Sequence, residues 1–354
     1  MEFKPKTIGV LTSGGDAPGM NAALRAVTRA AISNGIKVKA IYRGYKGLID
    51  GEVADFTSQD VSGIIQRGGT IIKSARCPEF PTKEGREKAY ETLKREGIEA
   101  LIIIGGDGTF TGGRIFAQEY NVPVIGIPGT IDNDLWGTDA TIGYDTALNT
   151  IMHCVDTLRD TATSHERVFL VEVMGRDAGW IALNAAIAGG ADVCIIPEIP
   201  YNIDKIKAKI ETRYKKGRGF CIIVVAEGSK NAKGEQVGFK SQVPGDFHFK
   251  LGGIGQALKL ELEEAGVEYD IRVSVLGHLQ RGGTPIAYDR VLASEFGVKA
   301  FELAMNGEFG KMVAYKHPDI IAVTFEQALK EPHLVSPDSF LVHTARGLNI
   351  EFGD

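Results

Sequence analysis

The chain has 354 residues, enough for two domains, and 44% of them are hydrophobic against 24% charged. That balance supplies ample core material and excludes a disordered or fibrous chain. The net charge of −5 contains no long block of one sign, so nothing marks a nucleic-acid binder. No apolar run reaches membrane-spanning length.

The start, Met1 to Lys6, is short and polar and no secretory apolar stretch follows it, which predicts a cytoplasmic protein with no membrane partner. Cys77, Cys154, Cys194 and Cys221 show no metal-like or redox-pair spacing, and Cys194 and Cys221 lie in apolar runs as reduced core residues. A reducing compartment suits that pattern.

In chain order, six short apolar, β-branched runs read as buried parallel strands, and each ends in a polar, glycine-rich segment. Thr7–Leu11 runs into Thr12-Ser13-Gly14-Gly15-Asp16-Ala17-Pro18-Gly19, Ala100–Ile104 into Gly105-Gly106-Asp107-Gly108-Thr109, and Val122–Ile127 into Pro128-Gly129-Thr130. Val168–Val173 runs into Met174-Gly175-Arg176, Phe220–Ala226 into Glu227-Gly228, and Arg272–Leu276 into Gly277-His278. Helical patterns at Met20–Ser33, Lys83–Arg95, Asp145–Arg159, Ile203–Lys215 and Gly253–Glu264 separate them. This alternation predicts an α/β fold of two doubly wound, Rossmann-like domains with largely parallel sheets. In such sheets ligands bind at the carboxyl ends of strands, so the six segments are expected on one working rim, with the active site in the cleft between the domains. The predicted domains are 1–143 with about 280–330, and 144–279 with about 331–354.

Gly105–Thr109 has the makings of a phosphate loop: glycines let backbone N–H groups approach phosphate oxygens, and the helix that follows favours negative charge at its start. Asp107 fits there if Mg²⁺ lies between it and the phosphates, since Mg²⁺ takes one or two carboxylates together with phosphate oxygens. A glycine turn capped by Asp107 is the plainer reading, and lipid kinases and NAD kinases carry a similar stretch. Thr12–Gly19 also follows a strand and opens a helix, without the lysine of a P-loop; a tight strand-to-helix turn is the plainer reading. Pro128-Gly129-Thr130-Ile131-Asp132-Asn133-Asp134 sets two carboxylates and an amide after a buried strand. Phosphoryl transfer to a hydroxyl needs a carboxylate to accept the proton, and Asp132 is the candidate base; a turn held by Asx hydrogen bonds is the alternative. Arg167, Arg176, Arg272 and Arg281 lie near strand ends and Arg76 follows Lys73-Ser74-Ala75; arginine gives bidentate phosphate contacts, a solvated or salt-bridged side chain being the alternative for any one of them. His278 is either a core histidine or a hydrogen-bonding group for a sugar phosphate, and Glu227 either binds sugar hydroxyls or caps a turn.

Taken together, Gly9–Asn21, Gly105–Thr109, Pro128–Asp134, Met174-Gly175-Arg176 and Gly277-His278-Leu279-Gln280-Arg281-Gly282-Gly283 resemble one family, the 6-phosphofructokinases, in family order and over most of the chain. Gly-Gly-Asp-Gly-Thr is weakly specific; Pro-Gly-Thr-Ile-Asp-Asn-Asp and the opening segment are highly specific. The resemblance implies ATP-dependent phosphorylation of fructose 6-phosphate at its 1-hydroxyl, the committed step of glycolysis, with Mg²⁺ at Asp107. It implies that Asp132 is the base, that Thr130 and Arg176 act with it in the transition state, and that Gly15, Arg76, Cys77, Gly106, Asp107, Gly108 and Thr109 hold ATP. Fructose 6-phosphate would meet Thr130, Ile131, Asp132, Met174, Gly175, Arg176, Glu227, His278, Leu279, Gln280 and Arg281. Arg167 and Arg272 match arginines that the family supplies from a neighbouring subunit, which implies a homotetramer with shared active sites. Glycine at Gly108 and Gly129 resembles ATP users, because diphosphate users carry aspartate and lysine there. Asp177-Ala178-Gly179-Trp180 looks more like diphosphate-using members, so a diphosphate-dependent transferase is the alternative. The bacterial effector pattern is matched in part, by Arg25, Arg29, Arg159, Lys216 and Arg218, with Ser58 where an arginine is expected.

Overall fold

The computed structural model describes residues 4–240 and 249–354; Met1–Phe3 of the polar start lie outside the described residues. The chain opens with β1 (Thr7–Thr12), α1 (Met20–Ser33), β2 (Lys37–Ile41), α2 (Gly44–Asp50), β3 (Val53–Phe56), α3 (Lys83–Glu96), β4 (Ala100–Gly105), α4 (Asp107–Tyr120) and β5 (Val124–Pro128). It continues with α5 (Tyr144–His165), β6 (Val168–Val173), α6 (Trp180–Ala188), β7 (Val193–Ile195), α7 (Ile203–Lys215) and β8 (Cys221–Ala226). The short pair β9 (Gly238–Lys240) and β10 (Phe249–Leu251), α8 (Ile254–Glu264) and β11 (Ile271–Val275) follow. A 3₁₀ turn at Gly277–Arg281 leads to α9 (Ala287–Met305), β12 (Lys311–Lys316), β13 (Asp319–Thr324), α10 (Phe325–Ala328) and α11 (Phe340–Gly347).

These elements form two compact units. The first comprises Met1–Ile131, Leu135–Thr146 and Arg281–Pro332; the second comprises Asp132–Asp134, Ala147–Gln280 and His333–Asp354. A seven-stranded sheet of order β13-β12-β5-β4-β1-β2-β3 occupies the first, and a four-stranded sheet of order β11-β6-β8-β7 the second. All neighbours in the smaller sheet are parallel. In the larger one the five inner strands are parallel, and β3 and β13 run antiparallel at its edges.

The inner strands form because their sequences are apolar on both faces. Ala100–Gly105 and Cys221–Ala226 are buried at every position, as strands covered on both sides must be. The hairpin β12–β13 escapes the sequence reading: β12 is buried only at its centre, Met312–Ala314, and β13, at the sheet edge, has no buried position, as suits an edge strand with a solvated face. It extends the first sheet, beside which α9 packs along α1. The predicted helices at Met20–Ser33 and Ile203–Lys215 form over those residues, whereas the one predicted to stop at Arg159 runs on to His165 as α5, through a polar stretch that carries no apolar period.

The six glycine-rich segments do follow strands, but they do not share one rim. Three lie at the carboxyl edge of the seven-stranded sheet, after β1, β4 and β5, and three at that of the four-stranded sheet, after β6, β8 and β11. Apolar strand runs look alike wherever they fold, so nothing in the sequence separates the two sheets.

Asp289, in the first turn of α9 and fully buried, holds the entry to α5. Its carboxylate accepts the Gly143 N–H at 2.8 Å, the Thr146 N–H at 2.7 Å and the Thr146 hydroxyl at 2.6 Å. Burial raises its pKa from the ordinary range, and these hydrogen bonds oppose the shift. Asp289→Ala strands two buried backbone donors and is expected to cost at least about 2 kcal/mol, with Asp289→Asn falling between it and the parent; denaturant unfolding checks this, and a loss below about 0.5 kcal/mol contradicts it.

Candidate active site

In the first unit, backbone hydrogen bonds draw three loops together. The Ser13 N–H donates to the Ile104 carbonyl at 3.0 Å, and the Gly129 N–H to the Gly105 carbonyl at 2.9 Å. The buried Thr109 donates its hydroxyl to the Ser13 carbonyl at 3.1 Å, and a Cβ on Gly106 would stand 3.6 Å from that of Thr130. Ser13–Gly15, Gly105–Thr109 and Gly129–Thr130 therefore form one cradle at the carboxyl edge of the larger sheet. Asp107 is exposed and is the first residue of α4, where free backbone N–H groups and the helix dipole favour an anion.

The segment carrying Arg76 is tied to this cradle. The Ser74 hydroxyl donates to the Gly14 carbonyl and the Thr12 hydroxyl to the Lys73 carbonyl at 2.9 Å. Arg76 is exposed; Cys77 is half-buried, and burial raises its thiol pKa above the ordinary value. Arg281 joins this group: its guanidinium lies where a Cβ on Gly15 would fall, 2.6 Å from Nη1, and Nη1 donates to the Asp16 carbonyl at 3.3 Å. A side chain at Gly15 would push Arg281 away.

In the second unit, Asp132 is 4% exposed and one carboxylate oxygen lies 3.8 Å from Nε of Arg176, whose side chain is largely exposed. Arg176 adopts φ 52°, in the left-handed region, after Gly175 at φ 133°. Its N–H donates to Glu227 Oε1 at 3.3 Å, so Glu227 caps this turn. The buried Gln280 accepts the Met174 N–H at 3.2 Å and donates to the Gly277 carbonyl at 3.0 Å, bracing the β6 loop against the β11 loop. His278 and Leu279 are exposed, while Ile131, the last residue of its stretch of the first unit, is buried.

Arg167 and Arg272 are not brought to this edge. Arg167 immediately precedes β6 and Arg272 stands near the start of β11, and both bond to Asp270, at 2.7 Å from Nε and 3.0 Å from Nη2. Six residues of β6 separate Arg167 from Met174, roughly 20 Å of strand, so neither can meet Arg176 within its own sheet.

Two polar residues here, Glu198 and His333, escaped the sequence reading. Glu198, beyond β7, accepts the Gly179 N–H at 2.9 Å and the Val335 N–H at 2.8 Å through one carboxylate oxygen, and burial raises its carboxyl pKa. The Trp180 indole N–H donates to the His333 carbonyl at 2.7 Å, and the two rings lie 4.7 Å apart at 32°. His333 stands 200 residues from Asn133, which it touches. Only a glutamate just after an apolar run could have signalled Glu198, and no local pattern marks His333.

The chain matches the profile of a family described as Phosphofructokinase over residues 7–304. It is 55% identical over 345 residues to ATP-dependent 6-phosphofructokinase 2 of Bacteroides thetaiotaomicron, covering 98% of this chain and 99% of that one. It is 48% identical over 325 residues to ATP-dependent 6-phosphofructokinase 1 of Thermus thermophilus, at 92% and 94% coverage. A solved phosphofructokinase from Saccharomyces cerevisiae superposes with a TM-score of 0.83 at 37% identity over 97% of this chain; this chain spans 47% of the length of that one. A pyrophosphate-dependent phosphofructokinase from Marinobacter aquaeolei superposes with a TM-score of 0.81 at 22% identity, covering 98% of this chain and 88% of that one, a likeness of fold alone.

Gly228 makes the Arg176 turn possible, because a Cβ there would overlap the Arg176 carbonyl. Gly228→Ala is expected to cost about 1–3 kcal/mol as the turn shifts; unchanged unfolding together with an unmoved Arg176 turn in a crystal structure of the variant would contradict it.

Proposed function

This chain belongs to the phosphofructokinase family, and on that premise we propose that it transfers the γ-phosphoryl group of ATP to the 1-hydroxyl of fructose 6-phosphate, giving fructose 1,6-bisphosphate and ADP. The observation that carries the proposal is the loop after β5. Within five residues it joins Gly129 and Thr130 of the phosphate-type cradle to Asp132, a buried carboxylate beside a guanidinium.

The chemistry follows from these groups. The N–H groups at the start of α4 and the glycine backbone around it suit the triphosphate. Asp107 offers carboxylate oxygens, which fit Mg²⁺, a hard cation that keeps waters and phosphate oxygens among its ligands. Among the described residues no cluster of three or more His, Cys, Asp or Glu side chains is arranged to hold a metal, so a Mg²⁺ at Asp107 relies on phosphate and water as well. Bound there, it would neutralise charge on the transferring phosphoryl group. Asp132 accepts the proton of the sugar hydroxyl as the new P–O bond forms, and Arg176 steadies the carboxylate and the developing negative charge. Met174, Gly175, Glu227, His278, Leu279 and Gln280 form the sugar-phosphate side.

Arg167 and Arg272, anchored on Asp270 away from Arg176, serve a neighbouring subunit's site in this reading, and the resemblance to the family makes that assembly a homotetramer with shared sites. No helix among the described residues is long and apolar enough to cross a membrane; the cytoplasm is the proposed location.

Gly108 and Gly129 bear on the donor in different ways. A Cβ on Gly108 meets nothing within 4 Å, so that position leaves room for the nucleotide. One on Gly129 would press on Met20 Cε at 3.0 Å and Ile104 Cγ2 at 3.1 Å, so a longer side chain there forces repacking. Gly108→Asp is accordingly expected to fold normally yet lose at least about 10-fold in kcat/KM for ATP, through charge repulsion and lost space. The parent is expected to turn over ATP and to show negligible turnover with diphosphate in parallel assays; comparable rates with both donors overturn the choice of ATP. Asp132→Asn should cut kcat by about 10²–10⁴-fold with little change in ATP affinity, and a near-normal kcat removes Asp132 as the base.

A further inference from the structure

Asp132 has no rigid element of its own. It lies in the loop beyond β5, and the next residue, Asn133, adopts φ 52°. Residues in the left-handed region persist where their surroundings hold them. On Asn133 and Asp134 part of that hold comes from a residue far along the chain. The backbone N–H of His333 donates to the Asp134 carbonyl at 2.8 Å, and its ring Nδ1 lies 3.3 Å from the Asn133 carbonyl oxygen. A carbonyl only accepts, so Nδ1 carries the hydrogen in this contact. His333 therefore grips two successive carbonyls immediately after the base.

The grip is itself braced. The His333 ring leans on the Trp180 ring at a tilt of 32°, and its own carbonyl accepts the Trp180 indole N–H at 2.7 Å. One oxygen of Glu198 ties both sides together, accepting from Gly179, just before Trp180, and from Val335, two residues after His333. Gly179 ends the loop that begins Met174-Gly175-Arg176. The loop bearing the arginine that faces Asp132 and the loop bearing Asp132 thus share one anchor. A backbone displacement of about 1 Å at a reacting group can cost on the order of 100-fold in rate.

We propose that His333, seated on Trp180 and locked by Glu198, is a positioning residue that fixes the Asp132 carboxylate for proton abstraction. This rests on the reading of Asp132 as the base, and the test separates the two. His333→Ala, His333→Phe, Trp180→Phe, Asp132→Asn and the double variant Asp132→Asn/His333→Ala are compared by steady-state kinetics with ATP and fructose 6-phosphate and by denaturant unfolding. Each His333 variant that folds is expected to lose about 10-fold in kcat while KM for ATP stays within about two-fold of the parent's. Trp180→Phe, which keeps a ring but loses the donor to the His333 carbonyl, should lose about three-fold.

A residue that acts only through Asp132 has nothing left to act on once the base is gone. In the Asp132→Asn background, His333→Ala is therefore expected to lower kcat by less than about two-fold further. A merely structural role would repeat the full loss in that background, and that result overturns the proposal. So does a folded His333→Phe with kcat within two-fold of the parent while Asp132→Asn has collapsed, which leaves the base intact and removes the bracket alone. A near-normal kcat in Asp132→Asn removes both. Should His333→Ala fail to fold, His333→Phe, alone and with Asp132→Asn, carries the same expectations.

Discussion

The two ends of Pro128–Asp134 are held by different partners, and the placement of Thr130 and Asp132 depends on that. At its start, the Gly129 N–H is bonded to the Gly105 carbonyl, which keeps Thr130 against Gly106 in the cradle. At its end, Asn133 and Asp134 are gripped by His333. Between these holds the chain passes from one unit to the other, at Ile131–Asp132. A carboxylate on an untethered loop would sample many positions, and most of them are useless for accepting a proton from one hydroxyl. Backbone hydrogen bonds do this work because they fix main-chain position without occupying the side chains that chemistry needs.

The charges divide according to the same logic. Arg176 is largely exposed and only 3.8 Å from the buried Asp132, so its guanidinium is placed to serve both a carboxylate and an incoming anion. Arg167 and Arg272 share one exposed carboxylate, Asp270, near the amino ends of β6 and β11. Surface pairs of that kind contribute little to stability. Asp289 shows the opposite use of charge: a buried carboxylate whose two oxygens accept donors at the first turn of α5. Burial raises its pKa as it raises that of Glu198, and in both cases backbone donors offset part of the cost.

Much of the architecture was legible because it rests on local rules. Buried parallel strands must be apolar on both faces, so β1, β4, β6 and β8 stood out, and α1 and α7 are bounded as their periodicity predicts. The edge hairpin β12–β13 and the last turns of α5 were not, since half-solvated strands and polar helix ends carry no apolar signature. The candidate groups were legible as types, since Asp107 and Asp132 each follow a strand end. The commitment of Gln280 to Met174, and of Glu227 to the Arg176 turn, was not, because the partners lie 106 and 51 residues apart.

The sequence alone determined which residues could perform phosphoryl chemistry, because glycine, aspartate and arginine at strand ends follow from short-range needs of backbone space, oxygen ligands and charge. Only the tertiary structure decided which of them meet. It divided the six loops between two sheet edges, parted Arg167 and Arg272 from Arg176 by the length of a strand, brought Arg281 onto Gly15, and set His333 on Asn133 and Asp134. Those choices depend on contacts between residues tens to hundreds of positions apart, and no local periodicity encodes a long-range contact.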